Sequence, residues 1–360
     1  MTTFTQKFGL LSGLLNGEQA YTGPFFVDID ITERCNLHCL GCPYHSAPGR
    51  SKQNACDLSL SIFRELCAEL QTMGTRNLFL QGPGEPLLHP ALDEVIRVAK
   101  GSGFHVVLAT NGTLLDRETI RYFISVRLDV LRISLWAVTP EEYLDNYPGV
   151  DPAYLERVIE NLRLVARLKR ERGNNTPQIL LHQPVNQLNY QRLDRLVDLA
   201  SAAGCDGVSF TPVHHHPGAM ASFVLETEHV QNVQNQLRRL RATVKTRSLR
   251  DNLEKSLLRF ELGISASSRR LCYAGWLHTH LCVDGKVYTC GHCHVVMGNV
   301  CEKPFREIWN GPAYRSFRRR GFTDAGVLSL DGQSRCSYCC LAAQNARVHG
   351  FFHWFLPLIR

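Results

Sequence analysis

The sequence predicts an α/β fold: a partial (β/α)6 barrel followed by a small C-terminal α+β cysteine-rich domain. Three observations predict it. Six apolar, strand-like runs alternate with amphipathic helical stretches between residues 25 and 215, the pattern of a parallel sheet joined by right-handed crossovers. Each of the six runs ends in a polar or glycine-rich sequence. Eight cysteines crowd into the span from Cys272 to Cys340. Six units are too few to close an eight-stranded barrel, so the sheet is expected to stay open.

Taken in order, residues 1–24 carry Phe8, Leu10, Leu11, Leu14 and Leu15 at near-helical spacing. That stripe is expected to pack on the body of the protein, with a membrane surface as the alternative. Strands are predicted at 25–31, 77–81, 105–110, 130–136, 178–184 and 207–212, where short apolar runs are bounded by turn residues. Helices are predicted between them at 58–73, 90–100, 116–125, 151–172 and 190–203. Residues 25–215 thus form the barrel, and 216–265 read as a connector with helices at 226–246 and 250–262. The cysteine-rich part, 266–345, has Asp284-Gly285 between apolar runs at 281–283 and 286–289, a strong hairpin signal. Residues 346–360 form an apolar tail. It is expected to pack against the barrel, with an interfacial membrane anchor as the alternative.

Composition narrows the function classes. Of 360 residues, 44% are hydrophobic and 20% charged, as in a soluble globular protein. No apolar run is long enough to span a bilayer and no signal segment opens the chain, so a cytoplasmic protein is expected. Fourteen cysteines in such a compartment argue for metal binding over disulfides. Cys67 and Cys205 read as small core residues. The net charge of +7 gathers at Arg315, Arg318, Arg319 and Arg320 and between Arg238 and Arg250. Both groups read as solvated helix faces, and no nucleic-acid partner is expected.

The strand ends carry the chemistry. In open α/β sheets reactive groups gather at the carboxyl ends of the strands. Cys35, Cys39 and Cys42 follow the first strand, and Gly82-Pro83-Gly84-Glu85 the second. Asn111 follows the third, Ser134 and Trp136 finish the fourth, His182 and Asn186 flank the end of the fifth, and His214, His215 and His216 follow the sixth. A C-x3-C-x2-C set can hold three irons of a four-iron cluster and leave the fourth open.

The triple-cysteine motif, the Gly-Pro-Gly-Glu-Pro turn and the six units together resemble the radical S-adenosylmethionine (SAM) superfamily. The resemblance implies that Cys35, Cys39 and Cys42 bind a [4Fe–4S] cluster whose open iron takes SAM. One electron then cleaves SAM to a 5′-deoxyadenosyl radical that removes hydrogen from substrate. Gly82, Gly84 and Glu85 match the turn for the methionyl ammonium, and Asn111 and Ser134 match positions near the ribose and carboxylate. Gly41 stands where the family often has an aromatic residue contacting adenine, so backbone or Tyr44 is expected to substitute.

The C-terminal part resembles the SPASM or twitch extension through Cys272-x12-Gly285-x4-Cys290 and Cys336-x2-Cys339. This implies one auxiliary [4Fe–4S] cluster on Cys272, Cys290, Cys336 and Cys339. Cys282, Cys293, Cys301 and Cys340 remain, enough for a second auxiliary cluster as the alternative.

The expected reaction is a two-electron oxidation of a small molecule such as a sugar-like or aminocyclitol alcohol, with the auxiliary cluster as electron acceptor. A flavodoxin or ferredoxin would serve as external reductant. His182, His214, His215, His216 and Trp136 are the expected substrate-facing groups, one histidine acting as base or orienting the substrate. Modification of a ribosomal peptide, action on a lipid-linked substrate and a non-enzymatic redox sensor are the alternatives.

Overall fold

The computed structural model describes residues 4–46, 55–151, 153–213, 223–262, 271–323, 326 and 339–352. His214, His215, His216, Cys336 and the tail from residue 353 lie outside these.

Six strands form the expected open parallel sheet: β1 (Phe26–Asp30), β2 (Asn77–Gln81), β3 (His105–Thr110), β4 (Val130–Ser134), β5 (Gln178–Val185) and β6 (Gly207–Pro212). Three more, β7 (His278–Leu281), β8 (Lys286–Tyr288) and β9 (Gly298–Asn299), extend it in the order β6-β5-β4-β3-β2-β1-β7-β8-β9. The cysteine-rich part is therefore joined to the barrel edge by backbone hydrogen bonds, because β7 pairs in parallel with β1, Phe26 opposite His278 and Ile29 opposite Leu281. The β7–β8 and β8–β9 pairs are antiparallel.

Alternation along the strands separates two faces. On β1, Val27, Ile29 and Ile31 join the apolar core at 0–1% exposure, while Asp28 and Asp30 point to the opposite, concave face. Helix α1 (Phe4–Asn16) precedes the sheet. The connecting helices are α2 (Leu60–Thr72), α3 (Leu92–Gly101), α4 (Arg117–Ser125), α5 (Pro140–Asn146), α6 (Ala153–Glu171) and α7 (Asp194–Ala203). Beyond the barrel come α8 (Thr227–Thr246), α9 (Leu253–Leu262), α10 (Ala274–Leu277), α11 (Phe305–Trp309), α12 (Pro312–Gly321) and α13 (Ala342–Phe352). Helix α9 packs on β6, α8 and α13.

Helix α1 packs near α10, with Leu14 at 2% exposure and Gly13 against Trp276. Helix α5 was not expected, although its signal is in the sequence. The Thr139 hydroxyl caps it by accepting from the Glu142 N–H at 3.2 Å, with Pro140 and Glu141 in the first turn.

Two expectations need correction. The strand predicted at 281–283 runs instead over β7, because its register is set by β1 and not by its own apolar residues. Cys282 already belongs to the turn, where Gly285, at φ +81°, donates to the Cys282 carbonyl at 3.0 Å. Arg318 is not on a solvated helix face but fully buried, at 0% exposure. Its guanidinium donates to Gly275 O, Glu18 O, Asn310 Oδ1 and Trp309 O at 2.7–3.0 Å and lies over Trp276, Trp309 and Tyr314. It therefore fastens the N-terminal segment, α10 and α12 together. Arg238, Arg239 and Arg241 are exposed on α8 as expected.

Candidate functional site

Cys35, Cys39 and Cys42 stand half-buried in the loop after β1. The Cys42 N–H donates to Cys39 O at 2.9 Å, and the Leu40 N–H to Asn146 O at the end of α5. The Cys42 sulfur accepts from the N–H groups of Tyr44 and His45 at 3.4 and 3.3 Å. Burial raises all three thiol pKa values, Cys35 to about 11, and the neighbouring thiols add to the rise at Cys35 and Cys39. Three mutually repelling sulfurs with N–H donors aimed at one of them make a site that a cation would stabilise as thiolate. Among the described residues, the sets of three ligand atoms within 4.8 Å of one another are Asp30–His280–Cys282 and Glu226–Glu228–His229. The three loop sulfurs are not among these sets, so among the described residues they do not close on a single point.

The β2 exit loop fixes this cysteine loop from beside it. The Gly84 N–H donates to Thr32 O at 3.1 Å and the Glu85 N–H to Arg34 O at 2.6 Å. A Cβ at Gly82 would meet Thr32 O at 2.5 Å, and one at Gly84 would meet Arg34 O at 2.2 Å. Only glycine lets the two backbones touch. Glu85 is 2% exposed. Its Oε1 accepts from the Leu87 N–H at 3.0 Å and the Thr110 hydroxyl at 2.6 Å, and its Oε2 from the Asn111 N–H at 2.7 Å. Burial outweighs these bonds and raises its pKa. The carboxylate is engaged inside the fold, where it braces the ends of β2 and β3. Asn111 carries the brace onward by donating to Asn36 Oδ1 at 2.9 Å, within the cysteine loop.

Trp136 packs against the same loop. A Cβ at Gly41 would lie 2.1 Å from its ring, and the ring also meets Phe223 at 5.8 Å between centroids. Glycine at 41 therefore admits an aromatic ring from the end of β4. Ser134 lies opposite His182 in the β4–β5 ladder. His182 is not at the end of β5 but inside it, 5% exposed, with its ring nitrogens 2.9 Å from the Ser209 hydroxyl and 3.3 Å from that of Thr211. Burial, with Arg132 and Arg259 nearby, holds its pKa well below the usual value, so the ring is neutral at pH 7. Asn186 serves the following turn, accepting from the Leu188 N–H at 2.7 Å.

Below this rim a cavity of about 590 Å³ opens on the concave face, lined by Asp28, Arg132, Ser209, Thr211 and His278 from the strands and by α9 and α13. His278 pairs with Asp28 at 3.1 Å.

The second cysteine group converges beside the sheet. Burial and the neighbouring thiols raise Cys272, and raise Cys339 to about 11. Cys290 is raised first by a hydrogen bond with Cys340 and then by burial. Cys293 is 5% exposed, and its N–H donates to Cys290 O at 3.1 Å. Cys272, Cys290 and Cys339 thus lie near enough to act on one another, with Cys293 and Cys340 beside them. Cys301 stands exposed near Asp284. This buried, cysteine-rich donor set, deprotonated on binding, fits an iron–sulfur cluster.

Sequence reasoning missed the link between the two groups. His280 Nε2 meets Asp30 Oδ2 at 2.9 Å, and Cys282 lies beside them. Burial opposes protonation of His280, but Asp30 outweighs it and raises the pKa well above the usual value. Tyr44 is half-exposed, and burial together with Asp30, Cys282 and Cys42 pushes its phenol up to about 12. The available signal was two carboxylates alternating within an apolar strand, since buried carboxylates need partners.

A sequence model of the radical SAM superfamily matches residues 29–187, and one of the SPASM iron–sulfur cluster-binding domain matches 272–340. The AdoMet-dependent heme synthase of Methanosarcina barkeri is 27% identical over 310 residues, 82% of this chain and 85% of that protein. The PqqA peptide cyclase of Gluconobacter oxydans is 24% identical over 338 residues, 90% of this chain and 89% of that one. The fold is shared with anSMEcpe bound to AdoMet, with a TM-score of 0.65 at 16% identity over 93% of this chain and 94% of that one. SuiB of Streptococcus suis bound to S-adenosylmethionine shares it with a TM-score of 0.64 at 16% identity, over 82% and 68% of the two chains.

Proposed function

The chain belongs to the radical SAM superfamily and carries a C-terminal SPASM domain, and on that premise we propose that it catalyses a two-electron oxidation of a small molecule held on the concave face of the sheet. When bound, the clusters and SAM supply reductive cleavage, hydrogen removal from carbon and uptake of the second electron. The chain's own residues do the rest.

Cys35, Cys39 and Cys42 hold the first cluster, and the Gly82–Glu85 turn and Asn111 set the position of that loop. Ser134 lies on the rim where SAM would extend. Trp136 and Tyr44 close the loop on two sides and exclude water. His182, neutral and held by the Ser209 and Thr211 hydroxyls that line the cavity, is the proposed proton acceptor. Cys272, Cys290 and Cys339 hold the auxiliary cluster, with Cys336, Cys293 and Cys340 as the candidates for its fourth ligand.

The observation that carries this reading is that Cys340 lines the same cavity as Arg132, Ser209 and Thr211. The second thiol group therefore borders the volume in which substrate would sit. A relative named for making heme, a small molecule, supports the same substrate class.

Peptide modification is the second reading, supported by the likeness to a PqqA peptide cyclase over 89% of that protein. Anaerobically reconstituted protein given dithionite and SAM tests the shared chemistry by release of 5′-deoxyadenosine. Turnover with a flavodoxin in place of dithionite tests the reductant. A His182→Ala variant that releases 5′-deoxyadenosine but forms product more slowly supports the proton role; an unchanged product rate refutes it.

A further inference from the structure

The cavity on the concave face has an unbalanced charge. Arg132 enters it from the middle of β4, Lys255 and Arg259 from one face of α9, and Arg347 from α13. The carboxylate on its wall, Asp28, is already paired with His278 at 3.1 Å. Glu254 approaches Arg347 only at 3.7 Å, from a side chain 76% exposed. Arg132 is the most telling of the four. Among the described residues its buried Nε has no acceptor, and its guanidinium rests over the Phe79 ring at 5.2 Å. Burial first and Arg259 next push its pKa down to about 10 against the pull of Asp28, and burial with Arg347 and Arg259 lowers that of Lys255. The cations therefore feel one another across a single volume. A buried guanidinium N–H without an acceptor is costly, and an anion in the cavity would remove that cost.

We propose that this cavity binds an anionic small molecule through at least two carboxylate or phosphate groups, and so selects the substrate of the reaction. Its volume of about 590 Å³ is that of a small-molecule site. Ser209, Thr211 and Asn252 supply hydroxyl and amide partners for the uncharged part. Arg132 lies two residues before Ser134, roughly 7 Å down the strand at the rise of a β-strand. An anion anchored there leaves the rest of the molecule extending toward the strand ends, beneath the cysteine loop. The assignment of the ligand as substrate rests on the radical SAM reading; the binding of an anion does not.

Citrate and pyrophosphate are suitable probes, with triethyl citrate as the uncharged comparison, measured by calorimetry and thermal shift on cluster-loaded wild-type protein. Binding of at least one anion at or below about 1 mM is expected, weaker at higher salt, with none for the triester. The stronger of the two anions identifies phosphate or carboxylate as the recognised group. Arg132→Gln should weaken binding about tenfold or more. Lys255→Gln with Arg347→Gln, both on exposed helix positions, should do the same and covers the case in which Arg132→Gln fails to fold. The proposal is overturned if neither anion binds, if triethyl citrate binds as well as citrate, or if the double variant binds undiminished. Release of 5′-deoxyadenosine by wild-type protein is read separately: anion binding without it sinks the radical reading and leaves the cavity, and the reverse result sinks only the cavity.

Discussion

Gly84→Ala is the substitution on which the geometry makes its sharpest demand. The new methyl carbon would stand 2.2 Å from Arg34 O, 2.6 Å from Glu33 C and 2.7 Å from Arg34 C, all backbone atoms. To reach the 3.4 Å of ordinary contact, the Arg34 carbonyl must retreat by about 1.2 Å. That movement pulls on the Glu85 N–H bond to Arg34 O, 2.6 Å long, and shifts the residue next to Cys35. Overpacking of this kind costs about 1–3 kcal/mol of stability, and a misplacement of about 1 Å at a reacting centre costs roughly a hundredfold in rate. The variant is therefore expected to melt several degrees lower, to retain less iron at the first cluster and to release 5′-deoxyadenosine about a hundredfold more slowly. Gly101→Ala is the control: it lies at the end of α3, where a Cβ meets nothing within 4 Å, and alanine should be neutral or slightly stabilising there. Iron content and cleavage rate in Gly84→Ala equal to those of Gly101→Ala would refute the reasoning.

Glu85→Gln keeps the shape but sets an amide N–H₂ among three donors, and should destabilise by about 1–3 kcal/mol in a denaturant melt; no loss would show that the brace carries no energy. The Asp28–His278 pair predicts a pH dependence with a definite sign. Burial opposes both charges, but each partner outweighs it, lowering Asp28 below 3.8 and raising His278 above 6.5, with Arg132 and His280 also acting on Asp28 or His278. The pair's contribution is complete between those two reference values, lost as pH falls through the Asp28 value and lost as pH rises through the His278 value. The gap in melting temperature between wild type and Asp28→Asn should therefore be wider at about pH 6 than at about pH 9.5; an equal gap would count against the pair. Trp136→Ala removes the ring packed on Gly41, and should lower the melting temperature and weaken retention of the first cluster on gel filtration.

Much of the architecture was legible because it is local. Strand–helix alternation, the two cysteine groups and the glycine turn are patterns within short windows, and all appear where expected. What escaped depends on distant partners. His278, Thr279 and His280 look too polar for a buried strand until β1 lies beside them with Asp28 and Asp30. Arg318 reads as a surface cation beside three other arginines, and its burial is explained only by carbonyls at Glu18, Gly275 and Trp309. Gly84 and Glu85 stand out in the sequence as a turn for SAM, but their contacts to Arg34, Thr110 and Asn111 come from strands and loops far along the chain. Asn36 and Thr110, the polar residues that complete the Glu85 brace, stand in motifs the sequence marks, but an Asn or Thr in a loop carries no sign of its distant partner.

We propose that the two cysteine groups hold two clusters with different tasks. Iron counting combined with 5′-deoxyadenosine release, on reconstituted wild type and on the variant with Cys35, Cys39 and Cys42 all changed to Ala, tests it most directly. The variant should lose about four irons per chain, keep the rest on the second group, and release no 5′-deoxyadenosine under a reductant that makes wild type release it. Cleavage of SAM by the variant, or none by iron-replete wild type, would contradict it.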